Sequence, residues 1–206
     1  MVKVKICGIT SATDALMAAS AGADAIGFNF YPPSPRYLEP DQVVAIRLSL
    51  PPFIATVGVF VDTHVEKVRR IMQHCGLDYV QLHGHEVPRV VAQLKGLRVI
   101  KAIRVRSEDD LSQLDKYDVD GFLLDTYVSG KPGGTGQTFD WDLARAAASR
   151  ARIIVAGGLT PDNVAEAVRA GRPFAVDVAG GVEEEPGKKS RNLVNRFVRA
   201  AKSVVL

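Results

Sequence analysis

Eight short apolar segments, rich in valine, isoleucine and phenylalanine, recur about every 25 residues along the chain. They cover residues 2–7, 24–30, 54–61, 78–82, 98–103, 120–124, 152–156 and 174–178. Apolar segments of this length that are rich in β-branched and aromatic residues are typical of buried strands. The pattern therefore predicts eight strands.

Segments with helical character separate these strands, for example at residues 14–22, 63–76, 86–96 and 160–171. Their expected boundaries are threonine starts and glycine stops, at Thr63, Thr160, Gly22, Gly76 and Gly171. Repeated alternation of strand and helix predicts a parallel sheet, which is either a closed barrel or a doubly wound open sheet.

The distribution of polar residues favours the barrel. Central strands of an open sheet are apolar on both faces, whereas several strands here carry polar residues on one face only. Those residues are Lys3, Lys5, Cys7, Gln81, His83, Asp125 and Asp177. We therefore predict an α/β fold, a (β/α)8 TIM barrel that forms a single domain over residues 1–206 and carries small or polar residues at its interior mouth.

Charge and composition narrow the range of partners. The 26 basic and 23 acidic residues are spread along the chain and give a net charge of +3, so there is no broad basic field for nucleic acid. The one compact basic run, Lys188, Lys189 and Arg191, is expected to be a solvated helix start. Without a basic apolar leader or a long apolar run, the sequence predicts a cytoplasmic protein with no membrane contact, in which Cys7 and Cys75 are free thiols.

Two strand ends carry residues that suit acid–base chemistry, because reactive groups of (β/α)8 enzymes stand at the carboxyl ends of strands. Cys7 alone is compatible with a buried structural thiol, but the glycine after it, Gly8, lets substrate approach closely. Lys5, two residues earlier on the same face, would stabilise the thiolate and lower the pKa of Cys7. Asp125 is either a cap or turn residue or, if buried at the barrel mouth, a proton donor.

Two glycine pairs end the last two strands, Gly157 with Gly158 and Gly180 with Gly181. Loops after strands seven and eight of such barrels often present backbone N–H groups to a phosphate, although a pair of ordinary turns remains an alternative. The glycine-rich segment 126–138 lacks the lysine of a nucleotide-binding loop and is interpreted as a mobile lid.

Other polar residues give weaker signals. His83 and His85 have no third ligand at a zinc-like spacing, so no metal is predicted. Arg36 lies in a proline-rich loop and is either an ordinary surface arginine or a guanidinium fork aimed at a carboxylate.

Several motifs, taken together, resemble one enzyme family along the whole chain. The motifs are KICGIT, GFNFYPPSPRY, VGVF, QLHG, LLDT, GGTGQTFDW, AGGLTPDNV and DVAGGVEEEPGKK. They resemble the phosphoribosylanthranilate isomerases of tryptophan biosynthesis. The resemblance implies a (β/α)8 enzyme that rearranges N-(5-phosphoribosyl)anthranilate to 1-(2-carboxyphenylamino)-1-deoxyribulose 5-phosphate, with Cys7 as general base, Asp125 as general acid and Arg36 as partner of the anthranilate carboxylate.

The resemblance also implies that no cofactor is required, because the substrate nitrogen supplies the electron sink. Phosphate is expected on the glycine loops, and the chain departs from the family there, since two serines are commonly found where this chain has Ala179 and Gly180. Asp177 and His83 are expected to bind substrate, without a more specific role. The protein is expected to be a monomer or a homodimer.

Three other functions stay open at this point. A related isomerase of histidine biosynthesis performs the same rearrangement, but typically has an aspartate where this chain has Cys7. A lyase would use Lys5 or Lys101 as a Schiff-base nucleophile. A non-catalytic phosphate-binding module would need only the glycine loops.

Overall fold

The computed structural model describes residues 1–126 and 141–205 of the chain. Eight parallel strands close into a barrel in which each strand pairs with its neighbours in sequence and β1 pairs with β8. The strands are β1 Lys3–Cys7, β2 Ala25–Asn29, β3 Ala55–Phe60, β4 Tyr79–Leu82, β5 Arg98–Val105, β6 Gly121–Thr126, β7 Ile153–Ala156 and β8 Ala175–Val178. The predicted (β/α)8 barrel and its eight strands are confirmed.

Alternation along the strands separates an outer from an inner core. In β1, Val4 and Ile6 are fully buried in the layer between barrel and helices, whereas Lys5 points into the barrel. A second cluster of apolar side chains fills the lower part of the barrel interior. Its buried members are Val57, Ile100, Ala102, Leu123, Ile154, Ala156 and Ala175. Polar side chains are therefore left for the carboxyl end of the barrel.

Seven α-helices accompany the strands in the described ranges. They are α1 Ala12–Ser20, α2 Pro40–Leu48, α3 Val65–Cys75, α4 Pro88–Gln93, α5 Trp141–Ala148, α6 Val164–Gly171 and α7 Arg191–Lys202. Glycine stops were predicted correctly at Gly76, which takes the left-handed conformation that ends α3. The stop predicted at Gly171 is wrong. Gly171 is still helical, and Arg172 takes the left-handed conformation that ends α6.

The helix starts differ from the prediction by one turn or less. His64 rather than Thr63 precedes α3. Asn163 rather than Thr160 precedes α6, and its side chain accepts a hydrogen bond from the backbone N–H of Thr160 at 2.8 Å. The threonine thus belongs to the turn that leads into the helix.

Two elements do not follow the simple alternation. A 3-10 segment, Glu108–Lys116, stands between β5 and β6 in place of an α-helix. After β8, the 3-10 turn Gly180–Val182 leads into a hairpin of two short strands, β9 Glu183–Glu185 and β10 Lys188–Lys189.

This hairpin overturns the expectation of a solvated basic run. Lys188 is exposed, but the Lys189 side chain is fully buried and its ammonium group donates to Glu183 at 2.7 Å and to the carbonyl of Ala179 at 3.2 Å. The cross-strand pairing of Lys189 with Glu183 turns both side chains inward. The predicted lid, residues 126–138, lies outside the described residues apart from its first residue.

Candidate active site

A cavity of about 730 Å³ opens at the carboxyl ends of the barrel strands. All ten residues predicted to form the site line it. They are Cys7, Arg36, His83, Asp125, Gly157, Gly158, Asp177, Ala179, Gly180 and Gly181. The first strand, the sixth strand and the two glycine loops therefore meet around one space, as the prediction requires.

Cys7 is the last residue of β1 and is half-buried at the floor of the cavity. Lys5 and Asp177 lie beside it and form a buried ion pair, with Lys5 Nζ 3.0 Å from Asp177 Oδ1. The neighbouring strand provides space for this cluster at Gly27, where an added Cβ would lie 2.8 Å from Cys7 Sγ and 3.0 Å from Lys5 Nζ. The thiol of Cys7 and the ammonium group of Lys5 are thus packed against the backbone of Gly27, which has no side chain.

The expected effect of Lys5 on the thiol is only partly found. Burial raises the pKa of Cys7 above its ordinary value, and this is the largest influence on it. Lys5 lowers the pKa of Cys7, as expected, but Asp177 raises it again. The prediction of a lowered pKa is therefore wrong, because burial of the thiol outweighs the effect of Lys5 and the carboxylate of Asp177 adds to it.

Asp125 ends a hydrogen-bonded chain of three side chains. The amide nitrogen of Gln81 lies 2.9 Å from His83 Nδ1, and His83 Nε2 lies 3.2 Å from Asp125 Oδ2. Because an amide nitrogen can only donate, Nδ1 accepts and Nε2 carries the proton that is donated to Asp125. The carboxyl group is about one-third exposed, with a side-chain accessibility of 32 %. Burial at the barrel mouth, the condition that the sequence analysis set for a proton donor, is therefore only partial.

Gln81 was not predicted as a site residue, although its position on the polar face of β4 was recognised. Its side chain is buried at 1 % exposure and lines the cavity. The amide oxygen has no hydrogen-bond partner among the described residues. A buried polar atom without a partner is costly, so this oxygen marks a place where a ligand could donate a hydrogen bond.

Arg36 reaches the cavity from the loop after β2, but it already has a carboxylate partner within the protein. Its Nε and Nη2 atoms donate to Glu183 Oε1 and Oε2 at 2.8 and 2.5 Å. Glu183 is nearly buried, with 5 % of its side chain accessible, and also accepts from Lys189. These contacts lower the pKa of Glu183 against the effect of its burial. The sequence pattern contained no signal for this pair, because the hairpin that creates it was not predicted.

The two glycine loops offer backbone donors to the cavity. The N–H groups of Gly157, Gly158, Gly180 and Gly181 donate to no acceptor within the part of the chain that the structure describes. Gly158 has a left-handed backbone with φ of +64°, and a Cβ there would meet nothing within 4 Å. At Gly181, by contrast, a Cβ would lie 1.9 Å from the carbonyl oxygen of Leu159, so this glycine lets the two loops pack together.

Other residues considered from the sequence lie elsewhere or are occupied. Lys101 is buried and donates to the carbonyl of Gly84 and to Glu86, both at 2.8 Å, away from the cavity. His85 pairs with Asp62 on the surface, and Cys75 is buried outside the site. In residues 1–126 and 141–205, no cluster of three or more His, Cys, Asp or Glu side chains has the geometry of a metal site.

Comparison with known proteins points to a single family. Residues 4–200 match the family described as N-(5'-phosphoribosyl)anthranilate isomerase. The enzyme of that name from Geobacter sp. strain M21 is 52% identical over 204 residues, which cover 99% of this chain and 100% of the relative.

Within the described residues, no helix is long and apolar enough to cross a membrane.

Solved structures of this family superimpose closely. One is a phosphoribosylanthranilate isomerase in complex with reduced 1-(O-carboxyphenylamino)-1-deoxyribulose 5-phosphate, with a TM-score of 0.88 and 41% identity over 99% of this chain and 100% of that chain. Another consists of monomers generated from the dimeric phosphoribosylanthranilate isomerase of Thermotoga maritima, with a TM-score of 0.88 and 40% identity over the same shares of the two chains.

Proposed function

Because the chain belongs to the N-(5'-phosphoribosyl)anthranilate isomerase family, we propose that its cavity performs the family's reaction with Cys7 as general base and Asp125 as general acid. The protein is accordingly an isomerase of tryptophan biosynthesis, which converts N-(5-phosphoribosyl)anthranilate to 1-(2-carboxyphenylamino)-1-deoxyribulose 5-phosphate. The observation that supports these roles best is that a thiol at the end of the first strand and a carboxyl group at the end of the sixth line one cavity, beside backbone N–H groups that have no acceptor among the described residues.

The first step requires a proton for the furanose ring oxygen. Asp125 donates this proton as the bond between C1 and the ring oxygen breaks, and the nitrogen lone pair forms a Schiff base with C1. His83 holds one oxygen of Asp125 and is itself fixed by Gln81, so the acid keeps its orientation toward the ring. We therefore assign His83 the positioning of Asp125, in place of the unspecific substrate contact expected from the sequence.

The second step removes the proton from C2, which the adjacent iminium has made acidic. The thiolate of Cys7 takes this proton, and the resulting enolamine becomes the ketone by protonation at C1 and loss of the C2 hydroxyl proton. A raised thiol pKa makes the thiolate scarcer at neutral pH but a stronger base once formed. Burial, Lys5 and Asp177 together set this balance.

Ionic anchors at both ends of the substrate hold C2 between the two groups. The N–H groups of the glycine loops, with Ala179 as part of the second loop, bind the phosphate through the main chain. Arg36 binds the anthranilate carboxylate with the guanidinium hydrogens that Glu183 does not use. No cofactor is required in this scheme, because the substrate nitrogen supplies the electron sink.

The proposal is tested by assaying turnover of phosphoribosylanthranilate with Cys7→Ser and Asp125→Asn. Each variant should lose at least about 10²-fold in kcat, the usual scale for a missing acid or base. Cys75→Ser, which removes a thiol outside the cavity, is the matched control and should keep full activity. Losses below about tenfold for both variants, with the proteins folded, would overturn the assignment of acid and base.

Partner and location follow as further proposals. The ligand is the phosphosugar-anthranilate, and we infer that the enzyme works in the cytoplasm without nucleic acid or membrane partners.

Of the two expected states, monomer and homodimer, the homodimer is favoured by an exposed apolar face at the other end of the barrel. Phe53 and Phe174, 102 % and 53 % exposed, flank a cavity of about 440 Å³ there.

A further inference from the structure

Glu183 has a buried carboxylate at the edge of the cavity and takes no part in the proposed acid–base steps. Both of its oxygens accept hydrogen bonds from Arg36, at 2.8 and 2.5 Å, in the parallel geometry that fixes a guanidinium plane. Glu184 and Glu185, which follow it in β9, are more than half exposed. The single buried glutamate of this strand is therefore the one that contacts Arg36.

Glu183 leaves one edge of the guanidinium group available. An arginine side chain carries five N–H donors, and Glu183 uses the one on Nε and one on Nη2. One donor on Nη1 and the second donor on Nη2 form another fork, and Nη1 has no hydrogen-bond partner among the described residues. One carboxylate therefore holds Arg36 while the opposite edge keeps the geometry that a second carboxylate requires.

The charges and the packing around Arg36 agree with such a role. Lys189 donates to Glu183 at 2.7 Å with a side chain that is fully buried, so one negative charge lies between two positive ones and the cluster keeps a net positive charge. The aliphatic part of the Arg36 side chain also crosses Gly8, where an added Cβ would lie 2.3 Å from Arg36 Cδ. Arg36 is thus held from two sides at the rim of the cavity.

We propose that Glu183 is a positioning residue, which orients the free edge of Arg36 and thereby sets the preference of the site for substrates that carry a carboxylate on the aromatic ring. This inference rests on the proposed pairing of Arg36 with the anthranilate carboxylate. Lys189 supports Glu183 by keeping its carboxylate charged and in place.

The test measures binding rather than turnover, so that it does not depend on the acid and base. Calorimetry compares the reduced product analogue, reduced 1-(O-carboxyphenylamino)-1-deoxyribulose 5-phosphate, with the same compound made from aniline, which lacks the carboxylate. In Glu183→Gln one acceptor oxygen becomes an NH2 donor that faces the donors of Arg36. We expect this variant to bind the carboxylated analogue roughly tenfold or more weakly, the scale of a lost charged hydrogen bond, and the aniline compound within about twofold of wild type.

Glu184→Gln removes the same charge from the exposed neighbour and should leave both affinities unchanged. If Glu183→Gln unfolds because Lys189 loses its partner, the double variant Glu183→Gln/Lys189→Met, which leaves no unpaired ammonium, is used and should show the same selective loss. If Glu183→Gln weakens the binding of both compounds equally, or of neither, the role of Glu183 is overturned, while the pairing of Arg36 with the substrate carboxylate is not. Wild type that binds both compounds equally would overturn the pairing of Arg36 with the substrate carboxylate, and this inference with it.

Discussion

At the scale of single residues, the reactivity of Cys7 depends on two opposing neighbours. Burial and Asp177 raise the pKa of its thiol, whereas Lys5 lowers it. Only the thiolate acts as a base, whereas Asp125 must carry a proton to act as an acid, so the pH dependence of activity reflects both groups. The thiolate itself forms above the ordinary thiol range. Burial and the ion pair between Lys5 and Asp177 therefore together set the pH at which the thiolate forms.

Substitution of Asp177 and substitution of Lys5 should shift the pKa of Cys7 in opposite directions. Asp177→Asn removes a negative charge and frees the Lys5 ammonium for the thiolate, so the pKa of Cys7 should fall. Lys5→Met removes the stabilising cation, so the pKa should rise. Ultraviolet absorbance of the thiolate measures both shifts in a Cys75→Ser background, which removes a second thiol with a pKa of about 11.

The thiol titration serves as the readout because it does not depend on the absolute activity of each variant. Shifts of the same sign in both variants would contradict this view of the cluster. The double variant Lys5→Met/Asp177→Asn, which is neutral, provides the control. It should leave the pKa of Cys7 to burial, which raises it, and to Lys189, which lowers it.

Residues at strand ends could be predicted from sequence because their position follows from the alternation of the barrel strands. Cys7 and Asp125 are of this kind, and both line the cavity. Glu183 could not be predicted, because one of three consecutive glutamates is selected only by a hairpin register that pairs it with Lys189. The direction predicted for the pKa of Cys7 was wrong because the sequence shows neither how deeply the thiol is buried nor that Asp177 pairs with the ammonium group of Lys5.

At the scale of elements, the two loops after β7 and β8 act as one unit. They touch at Gly181, where an added Cβ would lie 1.9 Å from the carbonyl oxygen of Leu159. At Gly180, in contrast, the nearest atom to an added Cβ is Arg36 Nη2 at 3.6 Å. The first of two adjacent glycines therefore has room for a side chain and the second has none.

The same substitution at both glycines should therefore have opposite effects. Gly181→Ser must separate the two loops and their N–H donors, so KM should rise at least about tenfold with a smaller change in kcat, because phosphate binding is lost before chemistry. Gly180→Ser adds a hydroxyl donor at a position where serine is common in the family, so KM should stay the same or fall. Steady-state kinetics on phosphoribosylanthranilate measures both, and equal effects at the two positions would contradict the loop contact.

The sequence predicted which helices are present better than it predicted where they end. Gly76 ends α3 as expected, but Gly171 does not end α6, because Arg172 takes the left-handed conformation. Propensity favours glycine at such a position without excluding another residue that tertiary packing holds there. The 3-10 segment Glu108–Lys116 shows the same limit, since polar residues between two strands do not specify which kind of helix joins them.

At the scale of the whole molecule, a recurring contact ties neighbouring strands together at the amino end of the barrel. An aspartate directly before an even-numbered strand accepts a hydrogen bond from a backbone N–H of the preceding strand. The pairs are Asp24 with Val4, Asp78 with Thr56 and Asp120 with Val99, at 2.9, 2.7 and 2.8 Å. The residue before β8 is Phe174, which breaks the repeat and exposes an aromatic ring.

The exposed face at this end of the barrel supports the proposed homodimer. Phe53 is fully exposed at 102 % and has a left-handed backbone with φ of +71°, a conformation that a bulky residue rarely adopts without a structural reason. The cavity of about 440 Å³ beside it is lined by Phe174, Val57 and Tyr79 among others. A second copy that inserts Phe53 into this cavity would bury the ring and give a reason for the strained backbone.

Phe53→Glu should therefore raise the dissociation constant of the dimer at least about 30-fold, the scale of a lost aromatic anchor, because the variant lacks the ring that would fill the cavity. Size-exclusion chromatography with light scattering over a concentration series measures this. Val87→Glu, an equally charged change at an exposed position before α4, lies at the opposite end of the barrel and should leave the dimer intact. A wild-type protein that is monomeric at every concentration, or a Phe53→Glu variant that dimerises like wild type, would contradict this arrangement.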